Sequence, residues 1–179
     1  MPIIEFRGKK PKIDANAFVM NNATLIGDIV ISGNVLVLAN AVLRGDFNQV
    51  YIGEKVCIQE GSVLHPVLQD PITVEGHSII GYGAKVHGGA IKKGVFVGTN
   101  SVILRGVEIG EDSIIAAGSI LTVDMKIPPR SLVMGAPAKI VRELGDDDIR
   151  WIKGAVTGYM GLLEDYKTEL KEWDIRYGR

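Results

Sequence analysis

Aliphatic residues recur every six positions along most of this chain, and that spacing restricts the fold more than any other feature. Ile91, Val97, Ile103, Ile109, Ile115 and Leu121 form the longest unbroken run. The same beat appears at Ile31, Val37 and Leu43, at Ile52, Ile58 and Leu64, and at Val74, Ile80 and Val86. Four residues after most of these comes a small or β-branched residue, as at Val35, Ala41, Val56, Ser62, Ser78, Ala84, Val95, Ser101, Val107, Ser113 and Ser119. A helix of 3.6 residues per turn cannot hold this register, and a plain strand of period two does not need it. A short repeat of this kind means an all-β solenoid, in which each unit buries its apolar side against the next coil.

The repeats also divide the chain. Residues 1–15 read as a lead-in, 16–125 as the solenoid, 126–145 as an extended exit and 146–179 as a helical tail, all within one domain of 179 residues. The hexad spacing breaks across Arg44–Asn48, across residues 65–71 and between Val86 and Ile91. Insertions in a repeat array are expected to form loops, often on the working side. Pro128 and Pro129 argue for the extended exit, because proline does not fit a helix interior. Beyond them the period changes. Ile149, Ile152, Val156, Tyr159, Leu163, Tyr166, Leu170 and Trp173 lie three or four apart, the stripe of an amphipathic helix. Asp146, Asp147 and Asp148 suit its positive N-terminal end. Gly154, Gly158 and Gly161 predict a bend or a break into two helices.

Twenty Lys and Arg against 21 Asp and Glu leave a net charge of −1, with no basic stripe for nucleic acid and no polybasic run for an anionic membrane. Met1–Lys12 lacks the apolar core of a signal peptide, and no stretch approaches the roughly 20 apolar residues of a membrane span. Cys57 is the single cysteine, so there is no internal disulfide framework, which fits a cytoplasmic protein.

The hexads resemble those of the left-handed parallel β-helix family, in which three hexads make one 18-residue coil of a three-sided prism. That geometry turns the repeat into a ruler. His65 and His87 each follow an inward aliphatic, Leu64 and Val86, and lie 22 residues apart, one coil plus a four-residue insertion. They should stack on neighbouring coils at the inter-strand distance of about 4.8 Å. Two imidazoles so placed can share a metal ion, or can simply be two solvated surface histidines. Two do not complete a catalytic zinc site, which takes about three protein ligands and an open position.

Longer motifs carry a closer resemblance. Leu43-Arg-Gly-Asp46 with Asn48, Ile58-Gln-Glu-Gly-Ser-Val-Leu-His65, Gly81-Tyr-Gly-Ala-Lys-Val-His-Gly88, Met134-Gly-Ala-Pro-Ala-Lys-Ile-Val-Arg142 and the tail from Asp146 through Tyr159 are similar to the gamma-class carbonic anhydrase family. The tail is similar to its bacterial members of the carnitine-operon and phenylacetate-pathway type. The resemblance implies a left-handed β-helix with a C-terminal α-helix, a homotrimer, and metal sites between subunits holding Zn²⁺ or another ion such as Fe or Co. The activity implied is reversible hydration of CO₂ to bicarbonate. His65 and His87 match the two histidines one chain supplies. The third, from the neighbouring chain, falls at Tyr82. A strand of five or six residues spans about 17–20 Å, so Tyr82 cannot converge with His65 and His87 within one chain.

Tyr82 leaves three outcomes open. A phenolate can ligate a hard, highly charged ion, at the cost of its proton. The phenol can instead reach only a bound water. Or there is no metal, and the pocket binds another small anion or serves a scaffold. His77 lies five residues before Tyr82 and points to another face, so it does not replace the missing histidine. The resemblance further matches Arg44 and Asp46 to an ion pair at the subunit interface, and Gln59 and Asn48 to groups that orient water or bicarbonate. Glu60 matches an acidic neighbour of Gln59, and Tyr159 a helix tyrosine leaning over the pocket. Each has a plainer role available: a turn at Gly45, corner hydrogen bonds, solvated charge, and the helix's apolar stripe. An acyl-CoA transferase or thioesterase is a further reading, since hexad solenoids are shared with such enzymes and His87 could act as a general base.

Overall fold

Each hexad folds into a strand of about two residues and a corner, and every third hexad returns to the same side of a triangular prism. The computed structural model describes residues 3–170. One face stacks Thr24–Gly27, Val42–Gly45, Val63–Leu64, Lys85–Val86, Val102–Ile103 and Ile120–Leu121. The next stacks Lys12–Ile13, Ile29–Ile31, Val50–Ile52, Ile72–Val74, Gly89–Ile91, Glu108–Ile109 and Lys126–Ile127. The third stacks Phe18–Val19, Leu36–Val37, Cys57–Ile58, Ile79–Ile80, Phe96–Val97, Ile114–Ile115 and Ser131–Gly135. All of these pairings are parallel, and the whole is a left-handed β-helix of hexapeptide repeats.

The axis is filled by the residues that set the beat. Leu43, Ile52, Ile58, Leu64, Val74, Ile80, Val97, Ile103, Ile109 and Ile115 are fully buried in one continuous core. The small residues four positions later sit at the corners, where a larger side chain would not fit. Buried serines there bond to carbonyls of the next coil, as Ser62 Oγ does to Gly81 O at 2.9 Å and Ser101 Oγ to Ala116 O at 3.0 Å. No buried hydroxyl at these positions is left without an acceptor, which removes the cost of placing serine inside.

The solenoid is longer than the hexads suggest. Ile3–Ile4 already pairs with Leu25–Ile26, and Lys12–Ile13 with Val30–Ile31. Two-residue strands bury too little to announce themselves in an otherwise polar segment. At the other end Lys126–Ile127 and Ser131–Gly135 continue the stack, and Ala138–Glu143 folds back antiparallel on the latter. Pro128 and Pro129 fall in a corner, where no ladder N–H is required.

The break at Arg44–Asn48 is not a loop. Val42–Ile52 is one continuous 11-residue strand that bends from the first face to the second. It follows Thr24–Ile31, an eight-residue strand bending at the same place. Gly27 lies on Gly45, and a Cβ on Gly45 would come within 2.2 Å of Asp28 O, so two backbones meet where only glycine fits. The insertion at 66–71 does form a loop, closed by a bridge between Val67 and Asp70.

The tail is a single helix over Asp146–Glu169, not two. Gly154, Gly158 and Gly161 face open space, while Ile149, Ile152, Val156 and Leu163 are buried against the third face. That packing outweighs the glycines' low propensity. Phe18 stacks on Tyr166 with ring centroids 5.5 Å apart, and Phe96 meets Trp151 edge-on at 4.8 Å. Asp148 accepts a hydrogen bond from Gly145 N–H at 2.9 Å and pairs with Arg142, closing the first turn. Trp173, placed on the same stripe by its spacing, lies outside the described residues. Among the described residues no helix is long and apolar enough to cross a membrane.

Candidate functional site

The ruler places the two histidines as it should. Leu64 pairs with Val86, so His65 and His87 leave the end of the first face one above the other. Their ring centroids are 5.7 Å apart at an interplanar angle of 40°. His87 Nδ1 is 2.9 Å from the carbonyl oxygen of His65. A carbonyl only accepts, so the hydrogen bond puts the His87 proton on Nδ1 and leaves Nε2 with its lone pair. His65 Nε2 lies 3.1 Å from Asp46 Oδ1. The same argument puts the His65 proton on Nε2 and its lone pair on Nδ1.

Arg44 and Asp46 belong to this cluster. The guanidinium donates to Asp46 Oδ2 at 2.6 Å, while the other carboxylate oxygen faces His65. Burial pushes the Asp46 carboxyl up, but the Arg44 hydrogen bond and charge outweigh it and hold the group below the usual carboxylate range. The pair forms inside one chain. Phe47, which sequence reasoning passed over, lies against the His65 ring with centroids 5.3 Å apart. Its only signal was its place in the Arg44–Asn48 insertion. Asn48 is turned to local structure instead: Nδ2 donates to Leu68 O at 2.9 Å and Oδ1 accepts from Gln49 N–H at 2.8 Å. It thus pins the 66–71 loop to the bent strand.

Gln59, Tyr82 and Tyr159 form a second cluster, at the corner between the third and first faces. Gln59 is 3% exposed and uses both ends of its amide. Oε1 accepts from Tyr82 N–H at 3.0 Å, and Nε2 donates to the Tyr159 hydroxyl. The hydroxyls of Tyr82 and Tyr159 are 3.4 Å apart. Burial, and then the neighbouring Tyr82, push the Tyr159 phenol well above its ordinary range. Glu60 Oε2 is buried beside this corner without a hydrogen-bond partner among the described residues. Tyr82 itself is 45% exposed, so its ring is available at the surface. Tyr159 packs in the apolar cluster under the helix, and its hydroxyl reaches Gln59.

The two clusters stay apart in one chain, since Tyr82 precedes the Lys85–Val86 strand and His87 follows it. Among the described residues no three His, Cys, Asp or Glu side chains converge as a metal set. The histidine pair fits half of one. It offers two imidazoles on neighbouring coils, one of them already oriented by a carbonyl as metal-binding imidazoles usually are. His77 sits on the edge between the second and third faces, away from both clusters, beside Lys55 and Lys93.

Comparison with known proteins agrees with the hexapeptide-repeat fold. Residues 88–122 match the bacterial transferase hexapeptide model of six repeats. A carbonic anhydrase of Geobacillus kaustophilus is 38% identical over 92% of this chain and 91% of its own. The carnitine operon protein CaiE of Escherichia coli is 35% identical over 96% of this chain and 88% of its own. Among solved structures, a hexapeptide transferase family protein of Anaplasma phagocytophilum is 29% identical, with a TM-score of 0.89 over 92% of this chain and 98% of that one. A presumed acetyltransferase of Bacillus cereus is 36% identical, with a TM-score of 0.92 over 94% and 98%. With the paired histidines on consecutive coils and relatives matched over nearly their whole length, the chain belongs to the gamma-class carbonic anhydrase-like family of hexapeptide-repeat proteins.

Proposed function

We propose that the protein hydrates CO₂ reversibly at a metal site shared between copies of the chain in a homotrimer, with turnover weakened by Tyr82. The observation that carries this reading is the stacked pair of His65 and His87 with the His87 proton fixed on Nδ1 by the His65 carbonyl. His65 and His87 would hold Zn²⁺, or Fe or Co, together with the Tyr82 corner of a neighbouring copy. When bound, such an ion supplies an acidified water as the nucleophile for CO₂. The chain's own part is orientation. Asp46, tied down by Arg44, fixes the His65 ring, and binding through His65 Nε2 requires that ring to release Asp46. Gln59, held by Tyr82 and Tyr159, has its amide aimed by hydrogen bonds at both ends, as a group orienting bicarbonate must be. A phenol ligates only after losing its proton, which is why Tyr82 lowers affinity for a divalent ion relative to a histidine.

The test is elemental analysis of protein purified without chelators, followed by stopped-flow CO₂ hydration. About one metal per chain and a rate that falls on chelation and returns on reloading support the proposal. A rate equal to a metal-free control refutes the enzymatic part and leaves a trimer that binds a small anion or scaffolds another protein. Acyl transfer or thioester hydrolysis has one specific support, the transferase names of the hexapeptide model and of two structural relatives. Hydrolysis or transfer with any of a panel of acyl-CoAs would favour it over CO₂ hydration.

A further inference from the structure

The edge between the second and third faces holds a groove that neither cluster uses. It encloses about 490 Å³ between the coil corners and the side of the helix. Lys55, His77 and Lys93 come from three successive coils, as the bonds His77 N–H to Glu54 O at 2.9 Å and Gly94 N–H to Gly76 O at 3.1 Å show. Lys55 and His77 both take a positive φ, 57° and 60°, the left-handed corner conformation that turns side chains outward over the edge. Across the groove Lys153 stands on the helix, and Ile152, Val156 and Met160, spaced four apart, form an apolar floor.

The charges are poorly matched within the groove. Lys93 and Lys153 have no carboxylate within 4.0 Å among the described residues, and Lys55 has only Glu54, at 3.7 Å. Asp112 is the single acidic group lining the space. Three ammonium groups over a hydrocarbon floor, on a chain of net charge −1, are not a general anion-attracting surface but a local one.

We propose that this groove binds an amphipathic anion, its phosphate or carboxylate head group among Lys55, Lys93 and Lys153 and a short acyl or aryl tail on Ile152, Val156 and Met160. The volume falls within the range of about 300–1,000 Å³ typical of small-molecule pockets, and the lining combines apolar walls with a few convergent polar groups. The state of His77 agrees. Burial, and then the charges of Lys93 and Lys55, hold its imidazole below the ordinary histidine value, so the ring already feels the cationic field a ligand would neutralise. The site lies on a different edge from His65 and His87 and does not depend on a metal there.

The chain has three histidines, and NMR of their imidazole protons locates binding directly. Octyl phosphate and octanoate are titrated into the full chain, with inorganic phosphate and octanol as head-only and tail-only controls. The expected result is that octyl phosphate or octanoate shifts the His77 resonance, leaves those of His65 and His87 in place, and binds at least tenfold more tightly than either control. The double substitution Lys93→Gln, Lys153→Gln, at two exposed positions, should weaken it at least tenfold. Shifts confined to His65 and His87, equal affinity for inorganic phosphate, indifference to the lysine substitutions, or no shift at millimolar ligand would each overturn the assignment. A metal titration that moves only His65 and His87 reports on the carbonic anhydrase-like site alone, so the two proposals fail separately.

Discussion

Gln59→Met is the sharpest probe of how the tyrosine corner is held. Methionine keeps the length of the glutamine side chain but removes both polar ends. Two hydrogen bonds go, from Tyr82 N–H at 3.0 Å and to the Tyr159 hydroxyl. A typical intramolecular hydrogen bond contributes about 0.5–1.5 kcal/mol net, so the pair accounts for about 1–3 kcal/mol. The Tyr82 N–H is then left facing a thioether at a part-buried position, which puts the loss toward the upper end of that range. The Tyr159 hydroxyl is half-buried and can turn to Tyr82 or water, so it adds little. Part of this is offset, because methionine buries more apolar surface than an amide at a position 3% exposed. The net expectation is a loss of about 1–3 kcal/mol. Urea unfolding at fixed protomer concentration measures it, since assembly would make the midpoint concentration-dependent. Tyr159→Phe alone should cost about 1 kcal/mol, and the double variant less than the sum, because both substitutions break the same bond. A Gln59→Met variant within 0.5 kcal/mol of the parent, or strict additivity with Tyr159→Phe, would show that the amide does not order this corner.

Tyr82→His should raise metal content toward one ion per chain and raise CO₂ hydration at least tenfold, read by elemental analysis and stopped flow; unchanged metal content would remove Tyr82 as the limiting ligand. Asp46 predicts a pH dependence of stability. Its folded value is held down, chiefly by Arg44 against the opposing effect of burial, so the carboxylate form is the one the fold favours. That stability is fully present above the unfolded carboxylate value of about 4 and is lost as pH falls through the lower folded value. The difference in Tm between the parent and Asp46→Asn should therefore be largest at neutral pH and shrink in acid, and a constant difference would contradict it. Cys57 is 1% exposed, and burial drives its thiol far above the ordinary range. It should resist iodoacetamide in the folded protein and react at the rate of global unfolding, which mass spectrometry follows; fast labelling under native conditions would mean that the helix lifts from the third face.

The hexads made the solenoid, its axis and the histidine pair legible because all three follow from one counting rule. Leu64 and Val86 fix the register, and His65 and His87 come with it. What escaped the rule was whatever breaks the count or joins distant segments. Val42–Ile52 reads as an insertion, yet it is a strand, because the preceding coil makes the same bend at Gly27 and offers it a partner. No local pattern announces that match. The bond from Gln59 to Tyr159 spans 100 residues and depends on where along the third face the helix docks, which Phe18, Phe96, Leu36 and Ile79 decide together. The helix stayed whole despite three glycines for the same reason: its apolar side is fixed by tertiary packing, and the glycines lie on the other. The hydrogen bonds of Asn48 needed the 66–71 loop in place before they could be seen.

The division of the candidate site into two clusters has its own consequence. Among the described residues a single chain offers two imidazoles beside Asp46, and the Gln59, Tyr82 and Tyr159 cluster sits at a corner one strand away. If the ion is held as proposed, no chain binds it fully alone, so metal affinity and trimer stability are one linked equilibrium: whatever strengthens assembly strengthens metal retention by the same free energy. Within that linkage Tyr82 carries a second burden besides its phenol. Its backbone is held by Gln59 and its hydroxyl faces Tyr159, on a helix packed through Val156 and Leu163. To ligate a neighbour's ion the phenol must give up its proton, and any swing of the ring away from Tyr159 costs that contact as well. If Tyr82 is the third ligand as proposed, the helix that carries Tyr159 contributes to how readily that ligand is released, which couples packing on the third face to a site on the first.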